Sequence, residues 1–99
     1  MPTYMVLFNY TEQGIRAIDR AAGRLDGLKK RLGELGGSLE AFYLTMGPFD
    51  TVAIISAPDD KAVARLVVSV AAAGNVKTST MRAFPESEFL EIVSGLPGS

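Results

Sequence analysis

The first ten residues carry apolar side chains at nearly every position, which is typical of a strand buried on both faces. Successive side chains of a strand point to opposite faces, and neither face is polar here. The pattern predicts a strand from Thr3 to Tyr10, with Tyr4, Val6, Phe8 and Tyr10 on one face and Met5 and Leu7 on the other.

After Thr11 the apolar residues recur at steps of three and four, which is the period of an amphipathic helix. Thr11 is the predicted N-cap, and Gly36 and Gly37 are the predicted end of the helix. Glycine lowers helix stability by about 1 kcal/mol relative to alanine, so Gly23 and Gly27 predict a kink or break near Gly23. The apolar stripe consists of Ile15, Ile18, Ala22, Leu25, Leu28, Leu32 and Leu35.

Two further strand patterns follow, from Ser38 to Met46 and from Thr51 to Ala57. Only the four residues GPFD separate them, and a link that short predicts an antiparallel hairpin. Within this turn we expect Gly47 to provide an unusual backbone conformation or a close approach, and Phe49 to pack under the loop. Asp50 is expected to accept backbone N–H bonds or, alternatively, to contact a ligand.

The second half of the chain predicts a helix, a strand and a short closing helix. Proline followed by two acidic residues is a common helix start, so Asp59 and Asp60 are assigned to the helix and not to a metal pair. The predicted elements are a helix from Pro58 to about Ala73, a strand at 76–84, a helix from Glu86 to Val93 and a flexible tail at 94–99.

The helix that begins at Pro58 has almost no polar face. A helix of this kind is expected to be deeply packed or to take part in an interface. We expect the closing helix to cover it through Phe89, Leu90 and Val93.

The order of elements predicts a single α+β domain with the ferredoxin-like βαββαβ sandwich, followed by a short C-terminal helix. Both main helices would lie on one face of a four-stranded antiparallel sheet, which would leave the other face uncovered. The central first strand is nevertheless apolar on both faces. We therefore expect a second copy to cover the open face, giving a homodimer or a higher homo-oligomer.

The amino-acid composition excludes several kinds of catalytic and metal site. The chain has 99 residues and a formal net charge of −1, so nothing attracts it generally to nucleic acid or acidic membranes. It contains no cysteine and no histidine, which removes disulfides, Ser-His and Cys-His nucleophile pairs and the usual zinc sites. We expect no metal and no cofactor. Without a membrane-length apolar run or a signal-peptide pattern, a cytoplasmic location is expected.

Three stretches resemble the GYD family of dimeric α+β-barrel proteins: PTYMVLFNYTEQGI, LGGSLEAFYLTMGPFDTVAIISAPDD and GNVKTSTMRAF. The Gly-Tyr-Asp of the family corresponds here to Gly47, Pro48, Phe49 and Asp50, with phenylalanine in place of tyrosine. The resemblance implies the dimeric barrel and no established activity. A more distant resemblance is to the RAM effector-binding domain of leucine-responsive-type regulators, which implies small ligands bound at subunit interfaces.

The predicted topology gathers several polar residues at one end of the sheet, beside the N-terminus of the first helix. Converging polar groups next to an apolar sheet are typical of a small-molecule site. Each residue also has a structural explanation, such as a strand end, a helix cap or strand packing. The candidate ligand-binding residues are Asn9, Tyr10, Thr11, Tyr43, Gly47, Phe49, Asp50, Asn75 and Lys77.

Three functions are compatible with these features. The first is a non-catalytic cytoplasmic homo-oligomer that binds a small molecule or a partner protein through the dimer barrel. The second is a cofactor-independent monooxygenase or isomerase, which would have to work without histidine. The third is a scaffold with no ligand. The fold alone does not distinguish these functions. Without histidine or cysteine the chain has few side chains suited to acid–base or nucleophilic catalysis, which favours a protein that is not an enzyme.

Overall fold

The computed structural model describes residues 1–98 and has the predicted order of strands and helices. Of the predicted tail at 94–99, Ser94 ends the last helix and Ser99 lies outside the described residues. The elements are β1 (Thr3–Tyr10), α1 (Glu12–Arg16), a 3-10 turn (Ile18–Arg20), α2 (Ala21–Glu34), β2 (Ser38–Leu44), β3 (Thr51–Ser56), α3 (Asp60–Ala72), β4 (Val76–Ala83) and α4 (Glu86–Ser94).

The four strands form one antiparallel sheet in the order β2-β3-β1-β4. The first strand is therefore central, with Thr3 opposite Ser56 on one side and Ala83 on the other. This arrangement confirms the predicted ferredoxin-like α+β fold.

The core lies between one face of the sheet and the helices α2 and α3. Val6 and Ile55 of the sheet meet Leu32 of α2 and Leu66 of α3, and these four are the largest fully buried side chains. Alternation along β1 and β3 places every second residue in this core, as the period of a strand requires.

The first helical segment breaks at Ala17, and the predicted break near Gly23 is wrong. A helix end leaves carbonyl groups without helical partners. The Arg24 guanidinium donates to two carbonyl oxygens at this end, to Gly14 O at 3.4 Å and to Ala17 O at 2.8 Å, and Ala17 O also accepts the N–H of Arg20. This local contact supports the break at Ala17. The helix α2 continues through Gly23 despite the low helix propensity of glycine.

The other face of the sheet is open. Met5 lies opposite Ile54 and Met81, and Leu7 lies opposite Val52, so their side chains share one face. They are half-buried or exposed, and Met81 retains 49% of its surface. The open face is therefore apolar at its centre, as predicted, and its coverage by a second copy stays a prediction.

The closing helix does not cover α3, so that expectation is wrong for the single chain. No residue of α4 is buried, and Phe89 and Leu90 remain 56% and 58% exposed. Arg82 contacts the C-terminal segment. Its guanidinium lies 4.3 Å from the centre of the Phe84 ring, before α4, and 3.6 Å from the carboxylate of Glu88 in α4. The short link after β4 carries α4 away from the core, and the molecule extends over 53 × 31 × 18 Å.

Candidate functional site

One end of the sheet brings together the end of β1, the starts of β3 and β4 and the N-terminus of α1. Asn9 pairs with Lys77, Tyr10 pairs with Val76, and Asp50 lies beside the end of β1. The predicted gathering of these segments is therefore observed. Whether its residues bind a ligand stays a prediction.

The Asp50 carboxylate accepts a hydrogen bond from the backbone. Its Oδ2 accepts the N–H of Tyr10 at 2.8 Å, and the Asp50 N–H donates to Phe8 O at 2.9 Å. Asp50 thus extends the pairing of β1 and β3 by one step beyond Thr51. Its backbone bond was predicted, but the N–H belongs to the neighbouring strand and not to the turn.

Thr11 holds the start of α1 against the start of β4. Its N–H donates to Asn75 O at 3.0 Å, and its hydroxyl donates to Gly74 O at 2.6 Å while accepting the N–H of Gly14 at 3.1 Å. Gln13 Nε2 adds a bond of 3.1 Å to Asn75 Oδ1. We call this contact the helix latch, made by Thr11, Gln13, Gly14, Gly74 and Asn75; its groups bond to one another and fix the geometry of this end.

The expectation for Gly47 is wrong. Its φ is not positive, and a Cβ at this position would meet no atom within 4 Å. Thr45 closes the turn instead, with its N–H donating to Asp50 O at 2.9 Å and its hydroxyl donating to Phe49 O. These bonds define the loop without a special backbone conformation at the glycine.

Two further candidates, Tyr43 and Lys77, lie on the open face of the sheet. Tyr43 is opposite Val52 and 57% exposed, and Lys77 is opposite Asn9. Tyr10 has the opposite orientation because it is the next residue along the strand from Asn9. The predicted set is therefore divided between the two faces of the sheet.

A cavity of about 560 Å³ lies on the helix side of the same end, between the sheet and α2. Two predicted residues, Tyr10 and Asn75, line it. Its apolar wall comes from Phe8, Leu25, Leu28, Phe42, Val70 and Val76. This volume is in the range of small-molecule sites.

Three arginines also line the cavity, and they belong to the same helical region. Arg24 is half-buried and already donates to two carbonyl groups, whereas Arg20 and Arg31 are exposed. Within residues 1–98, no hydrogen bond or ion pair engages the guanidinium of Arg20 or Arg31. Among the described lining residues none is acidic, so the cavity combines positive charge with an apolar wall.

This cavity was not predicted from the sequence. The available signal was spacing: Arg20, Arg24 and Arg31 follow at steps of four and seven, which places them on one side of a helix. Gly23 and Gly27 also line the cavity, and their lack of side chains leaves the space between helix and sheet open.

Residues 1–98 hold no cluster of three or more carboxylates placed to bind a metal ion. They also include no helix with the length and hydropathy needed to cross a bilayer.

Comparison with known proteins gives a consistent result. The chain matches the GYD domain family over residues 4–93. It is 32% identical over 91 residues to a Thermus thermophilus protein named glutamine synthetase and cystathionine beta-lyase binding protein, covering 91% of this chain and 96% of that protein. The crystal structure of TTHA0845, also from Thermus thermophilus, has a TM-score of 0.55 and 24% identity, covering 86% of this chain and 95% of that chain.

Proposed function

The chain belongs to the GYD domain family, and from this premise we propose that it is a cytoplasmic, non-catalytic homo-oligomer that binds a partner protein. The family resemblance inferred from the sequence is confirmed by the match. The observation that carries the proposal is the amount of apolar surface that the single chain leaves uncovered, on the open face of the sheet and on α4.

The open face supports the homo-oligomer. Its central residues Met5, Leu7 and Ile54 lie on adjacent strands, so they form one continuous apolar surface rather than scattered exposed side chains. A second copy offers the same surface, and a two-fold axis would bring the two together.

The helix α4 supports the partner protein. It has only nine residues, a length at which an isolated helix is marginal in water. Its apolar residues Phe89, Leu90, Ile92 and Val93 are between 44% and 58% exposed, and aromatic and aliphatic side chains of this kind provide most binding energy at protein interfaces. The name of the relative assigns that protein to two enzymes as a binding protein, so the same two enzymes are the first partners to test.

The experiment measures binding of the immobilised full chain to purified glutamine synthetase and purified cystathionine beta-lyase by biolayer interferometry. We expect micromolar or tighter binding to at least one enzyme. Replacing Phe89 and Leu90 by serine should weaken it by about tenfold or more, since removing an interface anchor costs roughly 1–2 kcal/mol each.

The matched control is Ser87→Ala, which changes an exposed polar residue of the same helix and should leave binding unchanged. The proposal of these partners would be wrong if neither enzyme binds at a concentration of about 100 micromolar, where even a weak specific complex is populated. Unchanged binding by the Phe89 and Leu90 double variant would show that α4 is not the contact surface.

A further inference from the structure

The cavity between α2 and the sheet is distinct from both surfaces assigned to protein contacts. It opens on the helix side, whereas the proposed dimer surface is the opposite face of the sheet, and no residue of α4 lines it. Its function can therefore be tested separately from the proposed function.

The shape of the cavity depends on two glycines of α2. Gly23 and Gly27 line it, and a Cβ at either position would meet no atom within 4 Å. Gly33 of the same helix is equally free of neighbours but does not line the cavity. Glycine weakens a helix interior, so its presence at the two lining positions provides space at the expense of helix stability.

The charges at the cavity favour an anion. Arg20 and Arg31 offer guanidinium groups that no described residue engages, and Arg24 lies on the same side of the helix. A guanidinium has a planar array of N–H donors that matches a carboxylate. Because the described lining residues include no acidic side chain, nothing there neutralises these groups.

The remaining wall favours an apolar body. Phe8, Leu28 and Val76 surround the space from the sheet and from α2, and Phe42 closes it on the side of β2. Burial of the aliphatic surface of a ligand against this wall favours binding. The geometry points to a binding site for a small organic acid, with its apolar body in the cavity and its carboxylate at Arg20 or Arg31, which lie about 16 Å apart along the helix axis.

The experiment titrates the full chain with octanoate and, separately, with octanol while recording amide nitrogen and proton chemical shifts. We expect octanoate to bind with shifts at Tyr10, Leu28 and Val76, and to bind about tenfold more tightly than octanol, as expected for a charge-assisted hydrogen bond. Shifts confined to Met5, Leu7 and Met81 would place the ligand on the open face and overturn the proposal.

Two sets of variants test separately how the charge and the shape of the cavity contribute to ligand binding. Arg20→Ala combined with Arg31→Ala should weaken octanoate about tenfold and leave octanol unchanged, while Arg65→Ala, an exposed arginine of α3 outside the cavity, should change neither. Gly27→Leu should project an isobutyl group into the cavity and weaken binding of both ligands, while Gly33→Leu should not.

The proposal fails if octanoate does not bind, if octanol binds equally well, or if the double arginine variant keeps full affinity. If another part of the oligomer occupied the cavity in solution, octanoate would also fail to bind, and the proposal would be overturned. Thermal unfolding of each variant provides the check on folding, since Gly27→Leu and Gly33→Leu both replace a glycine inside α2 and should both be folded.

Discussion

A Cβ atom at Gly14 would lie 1.9 Å from the carbonyl oxygen of Asn75, so α1 and the start of β4 are in backbone contact. Only glycine allows this approach. The contact joins two segments about sixty residues apart in the chain, and Thr11 bonds to both Gly74 and Asn75 beside it. The helix latch therefore requires glycine at position 14.

Replacing Gly14 by alanine should destabilise the protein by about 3 kcal/mol or more, because the methyl group would overlap a backbone atom that cannot rotate away. Gly23→Ala is the matched control, since a Cβ at Gly23 meets nothing within 4 Å. The control should stabilise α2 by roughly 0.5–1 kcal/mol. Urea unfolding measures both, and equal stability of the two variants would contradict the contact.

Substitutions at Asp50 should separate the contribution of its hydrogen bond to stability from the contribution of its charge. Asp50→Asn retains an oxygen that can accept the N–H of Tyr10, so we expect a loss below about 1 kcal/mol. Asp50→Ala leaves that N–H without its partner and should cost about 1–3 kcal/mol. Chemical denaturation of the two variants gives the comparison. Similar losses in both would show that the carboxylate charge, and not the bond, stabilises this end.

Leu7→Asp should convert the oligomer into a monomer of 10.5 kDa, because an unpaired charge would be buried at the centre of the open face. Analytical ultracentrifugation at micromolar concentration measures the mass. Ser69→Asp introduces the same charge on the exposed side of α3 and should leave the oligomer intact. A wild-type chain that sediments as a monomer would contradict the sheet-to-sheet dimer.

Removing the chain after Glu88 should leave the free energy of unfolding within about 0.5 kcal/mol of the wild type, since no residue of α4 is buried in the single chain. The Arg82 contact to Glu88 is retained in this truncation. Differential scanning calorimetry at several protein concentrations is the measurement. A melting temperature lowered by several degrees at every concentration would show that α4 packs on its own domain.

Tyr4 should make stability depend on alkaline pH. The hydrogen bond from its hydroxyl to Asp60, 2.6 Å long, raises the pKa of Tyr4 above its ordinary value of 10.0. The folded state then holds this proton at pH values where the unfolded chain has lost it. The stabilisation is therefore complete below about pH 10 and is lost as pH rises through the folded pKa.

Tyr4→Phe should remove this pH dependence, and Tyr43→Phe, at an exposed tyrosine, should retain it. Unfolding free energies measured between about pH 8 and pH 11, on both sides of the ordinary tyrosine pKa, provide the test. An unchanged alkaline slope in Tyr4→Phe would assign the effect to another group.

The strands and the packing of helices could be predicted because they follow from periodicity. Alternation in β1 groups Val6 with Tyr4 and Phe8 on one face, and steps of three and four place Leu32 in the apolar stripe of α2; both side chains lie in the core. Because β1 is apolar on both faces, the pattern does not determine which of its faces the helices cover. The hairpin was also recognisable, although β2 ends at Leu44 and the connection is longer than the four predicted residues.

The remaining features depend on contacts between particular residues, which periodicity does not report. The role of Gly14 requires Asn75, from a distant segment, to approach it, and the break at Ala17 is supported by the local contact of Arg24 with its carbonyl oxygen. The predicted polar residues gather at one end of the sheet, and their role as a ligand site stays a prediction. The cavity beside them was not predicted, because it forms only when the glycines of α2 face Phe8 and Phe42 across the space.

The central position of β1 also sets the timing of folding during protein synthesis. Thr3 finds its sheet partners only at Ser56 and Ala83, so the first strand made has no neighbour until just over half of the chain has been translated, and its second neighbour comes later still. At ribosomal rates the interval from Thr3 to Ser56 is roughly 3–11 s, during which a strand apolar on both faces is unpaired. Such non-local pairing also slows folding itself. The nascent chain thus passes through a stage in which the apolar faces of β1 are exposed before the strands that flank it exist.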